Sequence, residues 1–134
     1  MVFLKNFQRV LMWSVFIMVL SLIPGGRLPV LPDFYHLFKP DKIVHLVLFG
    51  ILSYLLMQSI LKQYGKGFIR LYGTIIAVTI VVLFGTLTEY LQHVLDINRS
   101  GNIYDLIANT AGCILGITAF WTYRRKKTDK ANAN

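Results

Sequence analysis

Four apolar blocks, each close to the length needed to cross a membrane, constrain this chain more than any other feature. They fall at about residues 7–23, 42–61, 71–94 and 103–123. Hydrophobic residues make up 55% of the 134 residues and the mean hydropathy is +0.57, which exceeds the share typical of a soluble domain. The pattern predicts an all-α polytopic membrane protein with a four-helix transmembrane bundle. We expect a single transmembrane domain over residues 1–127 and a disordered cytoplasmic tail at 128–134.

The first block has some features of a signal peptide, because Lys5 and Arg9 precede its apolar run. A small-x-small cleavage site does not follow, since residues 21–24 read Ser-Leu-Ile-Pro. We therefore interpret the block as an uncleaved helix. Its residues 10–26 include no ionisable side chain, whereas small drug-efflux protomers place an essential carboxylate midway along their first helix.

The connections between the blocks predict how the segments are arranged. The stretch from Pro24 to Pro40 holds all four prolines, which fix φ and remove hydrogen-bond donors, so we expect an extended loop there. The turn from Lys62 to Gly67 is short, which predicts that the second and third segments are antiparallel neighbours. The third connection, Leu95 to Asn102, is polar and also short.

The distribution of lysine and arginine predicts the orientation. When both termini are placed in the cytoplasm, ten of the 14 basic residues lie inside and only Arg27, Lys39, Lys42 and Arg99 lie outside. The proline-rich loop and the Arg99 turn then face outward. The basic run from Arg124 to Lys127 is consequently a topology signal, and we expect no nucleic-acid partner.

With this topology, polar side chains converge at the outer ends of three segments. Asp41 and His45 are four residues apart, Glu89 and Gln92 three apart, and Asp105 and Asn109 four apart, so each pair occupies one helix face. Ionisable groups at the edge of a hydrocarbon layer are costly to place and usually have a function. The predicted ligand-binding residues are Asp41, Lys42, His45, Glu89, Gln92, Arg99, Asp105 and Asn109.

Below these polar groups the fourth segment carries small residues. Ala108, Gly112 and Gly116 form a small-xxx-small ridge that permits close approach of another helix backbone. The ridge therefore predicts that this face points into the bundle. The single cysteine, Cys113, excludes a disulfide or a multi-cysteine metal site within one chain and is expected to pack as a small hydrophobe.

The order and spacing of these residues resemble the VanZ-like family of small bacterial membrane proteins. The matching features are the DKIVH stretch at residues 41–45, Glu89-x-x-Gln92 and Arg99, followed by Asp105, Asn109, Gly112 and Gly116. The resemblance implies an α-helical, multi-pass protein of the bacterial inner membrane, linked in some members to teicoplanin resistance. It implies no settled biochemical activity and no agreed catalytic residues.

Several roles remain open for the polar residues. Glu89 either pairs with Lys42, Arg99 or His45 to hold helices together, or contacts a ligand, or acts in catalysis. Asp41 and His45 could form an acid/base pair, which makes His45 and Glu89 the candidate catalytic residues. The planar fork of Arg99 suits an anionic headgroup, although a loop arginine paired with an aspartate is the alternative. A zinc site from His45, Glu89 and Asp105 is conceivable, but no HExxH-type spacing supports it, so we predict no metal and no cofactor.

These observations favour a membrane protein that binds an amphiphilic anionic ligand at the outer leaflet. An envelope lipid, a cell-wall precursor and a lipoglycopeptide all fit that description, and membrane lipids are the expected partners. The first alternative is an intramembrane hydrolase or transferase acting on a lipid-linked substrate, with Glu89 or His45 as base and Arg99 holding the headgroup. The second is a purely structural protein or a small-transporter protomer. The sequence favours a protein that is not an enzyme.

Overall fold

A computed structural model describes residues 2–23, 40–95 and 103–132, and every regular element in those ranges is helical. Helix α1 spans Val2–Ser21, α2 Pro40–Phe68, α3 Thr74–Val94 and α4 Ile103–Asn132. A π-helical segment, Ile69–Gly73, connects α2 to α3. The prediction of an all-α protein is thereby confirmed. Three helical segments are long and apolar enough to cross a membrane: Val2–Ser21, Asp41–Val94 and Ile103–Ala131.

In place of the predicted turn at residues 62–67, the structure has a helix that is interrupted at one residue. Helical structure continues through Phe68, and only Gly65 departs from it, with φ 83° and ψ −178°. A positive φ of this kind costs a glycine little because it has no Cβ, so Gly65 is where the chain can change direction. The 54-residue run Asp41–Val94 would be about 80 Å long if straight, well beyond a hydrocarbon core of about 30 Å.

Contacts show that this run folds back on itself. The rings of Phe49 on α2 and Phe84 on α3 lie 6.1 Å apart, and His45 Nδ1 lies 3.9 Å from Glu89 Oε1. Nearer the break, a Cβ on Gly73 would lie 3.6 Å from the Ile60 side chain. Residue numbers rise on one helix as they fall on the other, so α2 and α3 are antiparallel.

Helices α2 and α4 form the closest pair, and they run parallel. The backbone of Gly112 lies against Leu46. Four residues further along both helices, Gly116 lies against Gly50, and it also contacts the Ser53 side chain. A Cβ on Gly116 would be only 2.0 Å from the Gly50 carbonyl oxygen, so the two backbones are nearly in contact. Ser53 Oγ adds a hydrogen bond to the Cys113 carbonyl at 3.1 Å.

The remaining contacts fix which helix ends lie together. Asn6 Nδ2 donates to Gln63 Oε1 at 2.8 Å, and Gln92 Nε2 donates to the Ser21 carbonyl at 2.8 Å. At the opposite end of α3, Trp121 Nε1 donates to Thr74 Oγ1 at 3.3 Å. One end of the bundle, the Glu89 end, thus holds the C-termini of α1 and α3 and the N-termini of α2 and α4. The other, the Arg124 end, holds the π-helical segment and the C-terminal part of α4.

The outer surface of the bundle is apolar as well as its core. The core contains Ile17, Phe49, Met57, Val81 and Phe120, each no more than 1% exposed. Large apolar side chains also point outward from every helix, including Met12, Val47, Ile75, Leu83 and Ile114. Such extensive exposed apolar surface is expected where the surroundings are lipid. The fold therefore supports a membrane protein.

Two helix ends differ from the sequence expectation. Helix α1 covers residues from Val2 instead of starting near residue 7, and α4 continues to Asn132 instead of ending near residue 123. The α4 extension includes most of the 128–134 stretch for which the sequence predicted a disordered tail. Its residues Arg124 to Lys127 and Lys130 to Ala131 are good helix formers, which gives a physical reason for the longer helix.

Candidate functional site

Three helices bring polar side chains together at the Glu89 end. We call this group the polar cluster: Asp41, Lys42 and His45 from α2, Glu89 from α3, and Asp105 and Asn109 from α4. His45, Asp105 and Asn109 are buried, at 3%, 7% and 1% exposure. The Glu89 side chain is 12% exposed and that of Asp41 is 40% exposed. The cluster therefore runs from the surface at Asp41 to the bundle interior at Asn109.

His45 occupies the centre of the polar cluster. Its Nδ1 lies 3.0 Å from Asn109 Oδ1 and 3.9 Å from Glu89 Oε1, while Nε2 lies 3.9 Å from Asp41 Oδ1. Because the amide oxygen can only accept, the bond to Asn109 requires the proton on Nδ1 and leaves Nε2 of a neutral ring as an acceptor. The ring also stacks at 6.3 Å on Phe49, one helical turn away. His45 is thus held in one orientation with its basic nitrogen towards Asp41.

The Asn109 amide is only half used. Its oxygen pairs with His45, but Nδ2 is buried and has no hydrogen-bond partner among the described residues. A buried donor without an acceptor costs about 1–3 kcal/mol. Gly85 lets the Asn109 amide pack closely against α3, since a Cβ at Gly85 would lie 3.2 Å from Nδ2. This corner of the cluster therefore holds a donor that an acceptor on a bound polar group would satisfy.

Negative charge outweighs positive charge in the described part of the cluster. Asp41, Glu89 and Asp105 face a single lysine, Lys42, whose Nζ lies 4.0 Å from Asp105 Oδ1. The same ammonium lies 4.9 Å above the Tyr104 ring, a cation–π contact. The described part of the cluster is therefore mainly acidic and contains one lysine.

Three of these side chains have the composition of a metal site. One ligand atom each from Asp41, His45 and Asp105 lie within 4.8 Å of one another. Two ligands of one zinc ion lie no more than about 4.4 Å apart, because each is about 2.0–2.2 Å from the metal. Small side-chain movements would therefore be required, and Lys42 beside Asp105 opposes a second cation. This trio differs from the set considered from sequence, in which Glu89 took the place of Asp41.

Two predicted site residues are not part of the polar cluster as described, one because of its contacts and one because it lies outside the described residues. Gln92 is 2% exposed and its amide donates to the Ser21 carbonyl, so it connects α3 to the end of α1. Arg99, the predicted anchor for an anionic headgroup, lies outside the described residues. The sequence reasoning did not include Phe49, which supports the His45 ring, or Tyr104, which contacts Lys42. The four-residue spacing from His45 to Phe49 was the available signal for the first of these.

The small residues of α4 lie against α2, directly below the polar cluster. Ala108 is 8% exposed, and a Cβ on Gly112 would lie 2.2 Å from the Leu46 carbonyl oxygen. This close backbone contact holds His45, one residue before Leu46, beside Asn109. The ridge thus positions the two central residues of the cluster.

Comparison with known proteins gives the family of the chain. No curated protein and no solved structure matches it. The sequence pattern that defines the VanZ/LLP1 family, in contrast, matches residues 1–124, which is nearly the whole chain. This match includes the entire polar cluster and the small-residue ridge. The chain therefore belongs to the VanZ/LLP1 family of proteins.

Proposed function

We propose that this protein is a four-span membrane protein of the bacterial inner membrane with both termini in the cytoplasm. The hairpin of α2 and α3 supports two crossings within the run Asp41–Val94, since its two arms contact each other along their length. The basic residues support the orientation, because Lys66, Arg70 and Arg124 all lie at the Arg124 end. The polar cluster then lies at the outer leaflet.

The proposed function is binding the headgroup of an amphiphilic ligand in the polar cluster. One observation carries the proposal: Asn109, 1% exposed, has an amide nitrogen that finds no hydrogen-bond partner among the described residues. Such groups in native proteins call for an explanation, and a ligand that supplies an acceptor is one. The apolar outer surface next to the cluster suits the acyl or polyprenyl part of the same molecule.

The charge of the cluster refines the ligand class. Lys42 favours an anionic group, and Asn109 Nδ2 favours a hydrogen-bond acceptor. A ligand with phosphate or carboxylate oxygens supplies both. Lipid-linked cell-wall precursors and lipoglycopeptides carry such oxygens, which would bind Lys42 and, as the sequence predicts, Arg99.

Binding in lipid nanodiscs tests this proposal. Purified protein in neutral phosphatidylcholine nanodiscs is titrated with a polyprenyl-linked cell-wall precursor and, separately, with teicoplanin. Lys42→Gln and Arg99→Lys should weaken binding of at least one probe by about tenfold, because a charge or a bidentate fork is lost. Lys62→Gln, which changes an exposed lysine on the same helix as Lys42 but at the Arg124 end, should leave binding unchanged. Equal affinities for all four proteins would contradict the proposal.

A second candidate function, an intramembrane hydrolase or transferase, is favoured by the orientation of His45. The bond to Asn109 orients the ring and leaves the Nε2 lone pair as a proton acceptor, and Asp41 Oδ1, 3.9 Å from Nε2, would stabilise the imidazolium that forms when Nε2 takes a proton. The same nanodiscs distinguish the two functions. Conversion of a labelled precursor to product that His45→Gln abolishes would establish an enzyme, whereas retention without product supports binding alone.

A further inference from the structure

A second candidate site lies at the Arg124 end, separated from the polar cluster by the apolar core. An open groove of about 850 Å³ runs between the α2–π-helical region and the C-terminal part of α4. We call it the basic groove. Its lining includes four cations, Lys66, Arg70, Arg124 and Arg125, and one carboxylate, Asp129.

Positive charge exceeds negative charge in the basic groove, where four cations face the single carboxylate of Asp129. In residues 2–23, 40–95 and 103–132, no salt bridge joins any of the four to a carboxylate. Lys66, Arg70 and Arg125 are exposed, and Arg124 is partly buried. Four like charges facing one groove repel each other, and this repulsion is relieved when an anion binds between them.

The hydroxyl groups of the groove cannot take the place of the cations. Thr118 donates to the Ile114 carbonyl, Thr122 to the Thr118 carbonyl, and Thr128 to the Arg124 carbonyl at 3.1 Å. Their protons are already used within α4. Hydrogen bonds to an anion must therefore come from the lysine and arginine side chains.

The floor of the basic groove is apolar and fixed. Ile69 and Ile117 are buried at 2% and 7% exposure. Trp121 is held by its bond to Thr74 and packs edge-on against Phe120 at 5.4 Å. A basic rim above an apolar floor, next to a lipid-facing surface, matches a molecule with an anionic head and an apolar body.

We propose that the basic groove binds the phosphate headgroup of an anionic membrane phospholipid from the leaflet at the Arg124 end. The guanidinium groups of Arg70 and Arg124 provide bidentate donors for phosphate oxygens, and Lys66 and Arg125 add charge. The glycerol and first acyl carbons contact Ile69, Ile117 and Trp121. The proposal is independent of the ligand at the polar cluster, because it uses other residues at the opposite end.

The α4 helix offers a matched control for general attraction to an anionic surface. Lys126 and Lys127 are exposed, belong to the same basic run as Arg124 and Arg125, and do not line the groove. Replacing two cations inside the groove and two outside it removes the same net charge. The two changes should therefore affect lipid binding differently only if the groove is a specific site.

The experiment measures phosphatidylglycerol binding by native mass spectrometry of protein released from nanodiscs containing phosphatidylglycerol and phosphatidylcholine. The double variant Arg70→Gln/Arg124→Gln should lose about tenfold or more in phosphatidylglycerol affinity. Lys126→Gln/Lys127→Gln should change it by less than about threefold. Arg70→Lys/Arg124→Lys retains the charge and should keep part of the affinity, which controls for a failure to fold.

Three results would overturn the proposal. Equal losses in the two glutamine variants would indicate attraction to the membrane surface only. Competition by soluble glycerol phosphate at equal concentration would indicate a site for a free anion instead of a lipid. Unchanged binding in every variant would exclude the groove. Lys42→Gln should leave phosphatidylglycerol binding unaltered, so failure here and failure at the polar cluster are separately detectable.

Discussion

Substitution of Gly116 by alanine tests the packing of α2 against α4, on which the geometry of the polar cluster depends. The added Cβ would lie 2.0 Å from the Gly50 carbonyl oxygen and 2.1 Å from Ser53 Oγ. Since real Cβ atoms essentially never approach closer than 3.0 Å, the helices must separate by about 1 Å at this point. The obstacle is backbone, which has no rotamer change available to avoid the clash.

The expected cost combines two effects. Overpacking of a close-packed interface costs about 1–3 kcal/mol. Separation also weakens the bonds that Ser53 Oγ makes to the Gly50 and Cys113 carbonyls, at 2.9 and 3.1 Å, each worth about 0.5–1.5 kcal/mol. We therefore expect Gly116→Ala to lower the free energy of unfolding by about 2–4 kcal/mol. Gly116→Leu should also reduce the yield of folded protein.

The measurement is unfolding by sodium dodecyl sulfate in mixed micelles, followed by circular dichroism. Gly67→Ala is the matched control, because a Cβ at Gly67 would have nothing within 4 Å. That change should be neutral or stabilise by about 0.4–1 kcal/mol, since it restricts the unfolded chain. If Gly116→Ala were as stable as Gly67→Ala, the close contact of α2 and α4 would be wrong, and with it the placement of His45 beside Asn109.

Three further predictions concern topology, assembly and charge. In a Cys113→Ala background, Leu28→Cys should react with a membrane-impermeant maleimide in intact cells and Lys126→Cys should not. Reaction of Lys126→Cys without reaction of Leu28→Cys would refute the proposed orientation. Gln92→Ala should lower the free energy of unfolding by about 1–3 kcal/mol in the same micelle assay, because it leaves the buried Ser21 carbonyl without its donor, and wild-type stability would show that this bond contributes nothing. Glu89→Gln removes a charge from an acidic cluster and retains the size of the side chain, so the unfolding free energy should stay near that of the wild type while binding of the teicoplanin or precursor probe is lost. A parallel loss of stability and binding would favour a structural role.

The sequence predicted helix identity well and helix ends less well. Long apolar blocks and a short connection were enough to predict the α2–α3 hairpin, because few other arrangements bury such segments. The break itself is one residue, Gly65, because lysine, glutamine and tyrosine in the predicted turn can all remain helical. The helix α4 extends to Asn132 for the same reason, because the residues after Tyr123 can also remain helical. Local composition does not determine where a helix stops when no proline or capping motif intervenes.

At the site, the spacing of residues along one helix predicted which side chains share a face. The contacts between different helices could not be predicted in this way. The four-residue spacing of Asp105 and Asn109 predicted a shared face, and the structure brings both towards α2. Gln92 shows the limit of this reasoning. It lies three residues from Glu89, but its amide turns to the Ser21 carbonyl, and that partner depends on where α1 ends relative to α3. A single sequence does not give the relative heights of two helices.

The contrast between two kinds of polar contact in this bundle favours a ligand role for the polar cluster. Two polar side chains that connect helices make hydrogen bonds to backbone carbonyls at normal lengths, Gln92 at 2.8 Å and Trp13 at 2.9 Å. In the polar cluster, His45 lies 3.9 Å from the nearest oxygens of Asp41 and Glu89, beyond hydrogen-bond distance. Gaps of this size are where water or another polar molecule bridges two groups. A cluster selected only for assembly would be expected to satisfy Asn109 Nδ2, which is buried and has no hydrogen-bond partner among the described residues, because an unmet buried donor lowers stability. The proposed ligand would account for this donor, whereas a purely structural role does not.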